Sequence, residues 1–273
     1  MSKMKRIMVI FMVCQIIMMV DFVFAGTIQI KGSTTVLPIA QKVAELFMKE
    51  HNDVVISVSG GGSGNGIKAI IDSTTDIATS SRFIKSKEIK LAVQNGAYPI
   101  PFAVAYDCIV PIVHPSNTVK NITIDSLQKI YQGGIRNWKE IGGPDLEIVV
   151  ISRDTSSGTY EVWESKVMNK TRVFPRALLQ ASNGAVAQAV AKNKHALGYV
   201  GLSYVNNDIK ALQVNGVKAS AETTLNGRYP ISRELFVFTN GWPKGDTLTF
   251  INYLLHPQKG QKQVAEVGFV PLY

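Results

Sequence analysis

Three times along this 273-residue chain a strand-like segment runs into a short loop of glycine and hydroxyl residues and then into a helix-like segment. The loops are Lys31-Gly32-Ser33-Thr34-Thr35, Gly60-Gly61-Gly62-Ser63-Gly64 and Arg153-Asp154-Thr155-Ser156-Ser157-Gly158-Thr159. Alternation of strand and helix points to an α/β fold. The loops carry a second message, because the first N–H groups of a helix lack intrahelical partners and the dipole there is positive. Such a helix start attracts a tetrahedral anion, and small hydroxyl side chains add donors without bulk. One such loop is a helix cap; three raise the expectation that they converge on one anion.

The N-terminus reads as a secretory signal. Lys3, Lys5 and Arg6 precede an apolar run from Ile7 to Val20, and Val23-Phe24-Ala25 suits cleavage before Gly26. A membrane anchor is the alternative, but Gln15 and Asp21 interrupt the run, and a span needs roughly 18 consecutive apolar residues. Cys14 lacks the small neighbours of a lipidated cysteine, so after cleavage Cys108 stands alone. A lone cysteine makes no internal disulfide, and a buried inert thiol is expected. Without residues 1–25, 248 residues remain, enough for two domains of ordinary size. They hold 26 basic and 19 acidic residues, a net +7 that favours anions at long range. The basic residues are scattered and not interleaved with aromatics, which argues against nucleic acid.

Thr27 to Ile30 reads as a strand, followed by a helix from Val36 to Glu50 with Ile39, Val43, Leu46 and Phe47 at helical spacing and Pro38 in its first turn. Val54 to Val58 and Gly66 to Ile71 repeat the pattern. Further on, strands are expected at 102–113, 147–151, 196–200 and 235–238, and helices at 124–132, 160–167, 182–192 and 246–267. The strands at 102–113 and 235–238 flank a middle region with its own strands and helices, which predicts two lobes joined by two crossings. The boundaries are set at 26–104 plus 234–273 for lobe 1 and 105–233 for lobe 2.

The third loop is the most specific. Arg153 can offer a bidentate pair to an oxyanion while Ser157, Gly158 and Thr159 present backbone and hydroxyl donors at a helix start; the competing reading is an ordinary Ser/Thr cap with a solvated arginine. The glycine loop lacks the Gly-Lys-Ser/Thr ending of a P-loop and fits no Gly-x-Gly-x-x-Gly register. It is either a flexible turn or a point of close backbone approach to a ligand, with Ser63 donating. Ser33, Thr34 and Thr35 could equally serve as a cap before Val36.

Taken in order, Gly32-Ser33-Thr34-Thr35 with Pro38, Gly61-Gly62-Ser63-Gly64, Asp76-Ile77-Ala78-Thr79-Ser80-Ser81-Arg82, Arg153-Asp154 with Ser157-Gly158-Thr159, and Gly198-Tyr199-Val200-Gly201 resemble the PstS-type phosphate-binding proteins of bacterial ABC importers. The resemblance spans nearly all of the chain after residue 25. It implies an α/β, two-lobed periplasmic-binding-protein fold of type II, with dehydrated phosphate held in the cleft by N–H groups, hydroxyls and one arginine. Carried over by motif position, the ligands are Ser33, Thr34, Thr35, Ser63, Ser81, Arg153, Ser157, Gly158 and Thr159. The family likeness further implies a monomer that works with the membrane permease of a phosphate ABC importer, without catalysis, cofactor or metal. One departure concerns selectivity: longer members place an aspartate where Ser81 stands, and that carboxylate accepts the proton of hydrogen phosphate, which sulfate lacks. Asp76, Asp107 and Asp154 are read as structural, Arg82 as an exposed loop residue, and Ser182-Asn183-Gly184 as a helix start that does not touch the anion.

Two other functions compete. A phosphoesterase with Ser157 as nucleophile needs a base or metal set, yet the histidines at 51, 114, 195 and 256 are dispersed and no Gly-x-Ser-x-Gly elbow occurs. A binding module for another oxyanion, such as sulfate, would use the same loops.

Overall fold

The computed structural model describes residues 26–273; the expected signal peptide, its cleavage site and Cys14 lie outside the described residues. Chain order is β1 (Gly26–Gly32), α1 (Leu37–Glu50), β2 (Val54–Ser59), α2 (Ser63–Ile71), β3 (Ile77–Ser80), α3 (Ser86–Gln94) and the long β4 (Pro99–Val113). There follow β5 (Asn121–Ile122), α4 (Ile124–Tyr131), β6 (Val149–Arg153), α5 (Gly158–Lys166), β7 (Leu178–Gln180), α6 (Asn183–Ala191) and β8 (Ala196–Gly201). The chain ends with β9 (Lys210–Ala211), β10 (Gln213–Val214), α7 (Ala221–Leu225), β11 (Ser232–Asn240), α8 (Gly245–Leu255) and α9 (Gly260–Glu266).

A single path of strands, β2-β1-β3-β11-β4-β8-β6-β7, runs through the molecule, with β9 added on β4 and β10 paired with β5 apart from it. The first three strands pair parallel, as do β6 with β7 and β8. In between, β11 is antiparallel to β3 and β4, and β4 is antiparallel to β8. Ile28 and Ile30 turn inward from β1 while Thr27 and Gln29 face out, the alternation a half-buried strand requires. Along α1, Ile39, Ala40, Val43, Ala44 and Phe47 form the buried stripe and Pro38 sits in the first turn.

Strand β4 changes neighbour part way. Pro99 to Cys108 pair with β11, and Ile109 to Val113 pair with β8. Packing divides at the same place. One apolar core gathers residues from Cys108 to Ile231, including Trp138, Trp163, Tyr131 and Tyr199. Two others, on either face of the β1–β3 region, draw on Ile28 to Ala105 and again on Leu235 to Phe269. Thus β4 between Ala105 and Cys108, and β11 between Ile231 and Leu235, carry the chain from one packed body to the other.

The single helix expected over 246–267 is two. Pro257 has no N–H to continue α8, and Gly260 lies so close to Leu254 that a Cβ there would stand 2.2 Å from its carbonyl oxygen. The second helix begins at Ser63, three residues ahead of the expected Gly66, so the hydroxyl belongs to its first turn.

Candidate functional site

The three loops converge where the two bodies face each other. From the β1–α1 loop, the Ser33 hydroxyl accepts from the N–H groups of Thr35 and Val36, at 3.1 and 3.3 Å, and so holds the turn that leads into α1. From the start of α2, Ser63 Oγ accepts from Ser81 N–H at 3.0 Å and lies 3.3 Å from Ser81 Oγ. From the other body, the Ser157 hydroxyl accepts from Tyr160 N–H at 3.2 Å and caps α5. Gly158 and Thr159, the first two residues of that helix, have N–H groups with no intrahelical partner. All seven of the hydroxyl residues Ser33, Thr34, Thr35, Ser63, Ser81, Ser157 and Thr159 are buried.

Approach is close enough to demand glycine. A Cβ on Gly158 would lie 2.4 Å from Ser63 Oγ and 2.8 Å from Ser81 Oγ. Gly62, at φ +102, faces Ser156 of the opposite body, where a Cβ would meet Ser156 Oγ at 2.6 Å. Gly64 N–H donates to Ser156 O at 2.9 Å, and the Tyr204 hydroxyl donates to Thr34 O at 2.5 Å. Burial pushes the Tyr204 phenol up to about 12, against the opposing charge of Arg153 and with a smaller push from Asp107.

Arg153 ends β6, where the Arg153–Thr159 loop begins, and is buried. Its Nε donates to Gln180 O at 2.9 Å and its Nη2 to Ala181 O at 3.0 Å. Asp154 stands 3.9 Å from Nη2. The remaining nitrogen, Nη1, is buried with no hydrogen-bond partner among the described residues. Burial pulls the guanidinium below its ordinary value, opposed by Asp154, yet an arginine keeps its charge. Two of its nitrogens are thus fixed and the third holds a positive charge in want of an acceptor. Beneath it, Tyr199 stacks on Trp163 with centroids 4.1 Å apart, accepts from Arg153 N–H at 3.2 Å and bonds Ser152 Oγ at 2.9 Å. The aromatic pair holds the end of β6 in place, which gives Tyr199 of the Gly198-Tyr199-Val200-Gly201 run its task.

Several residues read otherwise in the sequence belong to this constellation. Asn183, expected outside it, donates from Nδ2 to Thr34 Oγ1 at 3.2 Å and to Thr35 Oγ1 at 3.0 Å, and accepts from Gly201 N–H at 3.2 Å. Arg233 and Asp107 sit opposite each other in the β4–β11 register. Asp107 Oδ2 accepts from Arg233 Nε at 3.1 Å and Nη2 at 2.8 Å, and its Oδ1 accepts from Leu202 N–H at 2.9 Å. Burial drives both groups toward neutrality, raising the carboxyl and lowering the guanidinium, and each opposes the shift of the other. A signal existed for this pair: Asp107 is the one charge in the apolar run Phe102 to Val113, and a charge buried in such a strand demands a partner. Arg82, expected to be exposed, is buried; it pairs with Glu88 at 2.7 Å and with Glu161 of the opposite body at 2.7 Å. Asp76 accepts from Gln29 N–H at 2.8 Å, a strand contact away from the loops.

No hydroxyl of the site has the partners of a nucleophile. Ser157 Oγ accepts from Tyr160 N–H and meets no side-chain base among the described residues, and among those residues no group of three or more His, Cys, Asp or Glu side chains could hold a metal. Cys108 is buried against the Thr224 hydroxyl at 2.7 Å, and burial raises its thiol to about 12.

Fold and site together define a two-body binding protein whose facing loops present hydroxyls, helix starts and a buried arginine. Residues 25–258 match the family profile described as PBP superfamily domain. The chain is 34% identical over 255 residues to the phosphate-binding protein PstS of Borreliella burgdorferi, covering 89% of each. To PstS of Bacillus subtilis it is 31% identical, covering 91% of this chain and 81% of that protein. Among solved structures, a candidate substrate-binding protein of a phosphate ABC transporter from Clostridium perfringens, crystallised with bound phosphate, superposes with a TM-score of 0.84 at 32% identity, covering 91% of this chain and all of that one. The chain belongs to the PstS-type phosphate-binding proteins of the PBP superfamily.

Proposed function

We propose that the protein captures inorganic phosphate outside the cytoplasmic membrane and delivers it to the permease of an ABC importer, without a chemical step. The observation that carries this reading is Arg153: buried, anchored through Nε and Nη2, and with Nη1 unpartnered at the end of the strand that leads into the Ser157–Thr159 loop. Phosphate is held by Arg153 Nη1, the N–H groups of Gly158 and Thr159, and hydroxyls drawn from Ser33, Thr34, Ser63, Ser81, Ser157 and Thr159, with Thr35 acting through its contact with Thr159. Charge-assisted donors are short and strong, and micromolar affinity needs only about −8 kcal/mol after desolvation.

Residues 26–104 with 234–273 act as one moving body and 105–233 as the other, hinged where β4 and β11 cross. The contacts Tyr204–Thr34, Ser156–Gly64 and Asn183–Thr35 form on closure. The exported location rests on the N-terminal pattern and on relatives named phosphate-binding proteins; among the described residues no helix is long and apolar enough to cross a membrane. The protein acts as a monomer.

Calorimetry with phosphate tests the reading. The expected result is binding by the unsubstituted protein and its loss in Arg153→Ala, with cooperative melting retained; unchanged affinity in the variant would reject the site. Ser81 favours a second reading, in which the site also takes sulfate, because a hydroxyl does not repel a fully ionised anion as a carboxylate does. Melting temperatures against phosphate, sulfate, molybdate and arsenate separate the two, since a ligand bound by the native state raises stability by mass action.

A further inference from the structure

Arg233 lies on the crossing strand, away from the three loops, and yet touches both halves of the site. Its Nη1 donates to Thr159 Oγ1 at 3.1 Å and to Ser81 O at 3.3 Å, and its Nη2 donates to Thr35 Oγ1 at 3.3 Å. Thr35 Oγ1 and Thr159 Oγ1 are 2.9 Å apart. A hydroxyl has one proton and two lone pairs, and a guanidinium only donates. Thr35 Oγ1 receives from Arg233 Nη2 and from Asn183 Nδ2, so both its lone pairs are taken and its proton must go to Thr159. Thr159 Oγ1 then receives from Thr35 and from Arg233 Nη1, and it too has only its proton left. The Asn183 amide cannot be flipped without loss, because its Oδ1 accepts from Gly201 N–H.

We propose that Arg233, anchored by Asp107, is a positioning residue of the anion site, which sets the direction of the Thr35–Thr159 hydroxyl chain so that Thr159 offers the anion a proton and never a lone pair. The proposal rests on the reading that this site binds phosphate. Its consequence concerns specificity: the Thr159 end of the site receives only an unprotonated phosphate oxygen. A protonated oxygen is left to the Ser63–Ser81 end: Ser63 Oγ accepts the Ser81 N–H and shares one hydroxyl proton with Ser81 Oγ, and whichever hydroxyl donates, the pair keeps a free lone pair. The chain is assembled from Thr35 of one body and Thr159 of the other, so closure and donor direction arise together.

The test is a double-mutant cycle in calorimetry with inorganic phosphate, built on Arg233→Lys and Thr159→Ala. Lysine keeps a cation against Asp107 but cannot span Asp107, Thr35 and Thr159 at once. Thr159→Ala is expected to weaken binding about tenfold in the unsubstituted protein and by about twofold or less in the Arg233→Lys background, where the hydroxyl is free to turn. Equal costs in both backgrounds would overturn the proposal. If Arg233→Lys gives no cooperative melt, the cycle is run in Arg233→Met/Asp107→Asn, which leaves no unpaired buried charge, with the same two outcomes. Absence of phosphate binding by the unsubstituted protein is a different result, and it overturns the functional reading on which the proposal stands.

Discussion

Glu161, on the helix whose start faces the anion site, reaches across the cleft to Arg82, with Oε2 2.7 Å from Arg82 Nε. Lys85 joins the same carboxylate, and Glu88 holds the far side of the guanidinium at 2.7 and 2.9 Å. Glu88 also caps α3 by accepting from Lys85 N–H at 2.8 Å, and its carboxyl is held below its ordinary range by Arg82 and that N–H against the opposing effect of burial. Arg82 and Glu161 are 7% and 11% exposed. Glu161 comes from the body opposite Arg82, Lys85 and Glu88, so under the proposed hinge motion its two ion pairs form as the bodies close.

Glu161→Gln is therefore expected to speed phosphate release, by about tenfold or less, with little change in association. The variant leaves Arg82 paired with Glu88, so the uncompensated buried charge that makes such losses severe is avoided. Stopped-flow dissociation measures the effect, and raising the salt concentration should narrow the gap between variant and parent. An unchanged release rate would mean that the ion pair does not contribute to closure.

Gly158→Ala places a methyl where Ser63 and Ser81 stand on closure. Helix propensity alone favours alanine over glycine, so stability without phosphate should hold or rise. Phosphate affinity should fall by about a hundredfold, because the two bodies can no longer meet at that point. Calorimetry and a thermal melt on the same sample separate the two effects.

Tyr204→Phe removes the hydroxyl that donates to Thr34 O at 2.5 Å across the cleft. A neutral hydrogen bond contributes about 0.5–1.5 kcal/mol, so phosphate should bind about twofold to tenfold more weakly. The titration enthalpy should change with it, while the unliganded melting temperature stays within a degree or two, or about the scatter expected of a surface change.

Cys108 makes a prediction in pH. Its native thiol is raised to about 12 by burial from a reference of 9.0, so above the reference value the unfolded chain loses a proton that the folded one retains. The stability contributed by the neutral thiol is full below pH 9 and declines as pH rises from about 9 to about 12. Cys108→Ala should flatten that part of the stability curve in chemical denaturation. In protein beginning at Gly26, a thiol reagent at neutral pH should react with Cys108 only as fast as the protein unfolds.

Much of the fold was legible because its units are local. Ile28 and Ile30 alternate, Ile39, Val43 and Phe47 recur at helical spacing, and Ser157 caps the helix it precedes. These patterns are written in residues a few positions apart. The division of α8 from α9 at Pro257 was also written there, in a residue that cannot donate. Of the site, the hydroxyl loops and Arg153 could be read from the chain, since a helix start with a fixed charge announces an anion at short range.

Arg233, Asp107 and Asn183 could not be placed in that way. Arg233 is 126 residues from Asp107, 74 from Thr159 and 198 from Thr35, and Asn183 is 149 from Thr34. Asp107 stands out as the one charge in an apolar run, but nothing beside it names its partner, and Arg233 and Asn183 look ordinary beside their sequence neighbours. The amino-acid sequence determined by itself that three strand–loop–helix units would each present donors at a helix start, because capping and helix geometry depend only on neighbouring residues. Tertiary structure alone decided which hydroxyls meet across the cleft, which of them are engaged by Arg233 and Asn183, and which guanidinium nitrogen of Arg153 is left without a partner among the described residues. Hydrogen-bond direction is set by the full ring of partners around each oxygen, and those partners are assembled only when β4 and β11 bring the two bodies together.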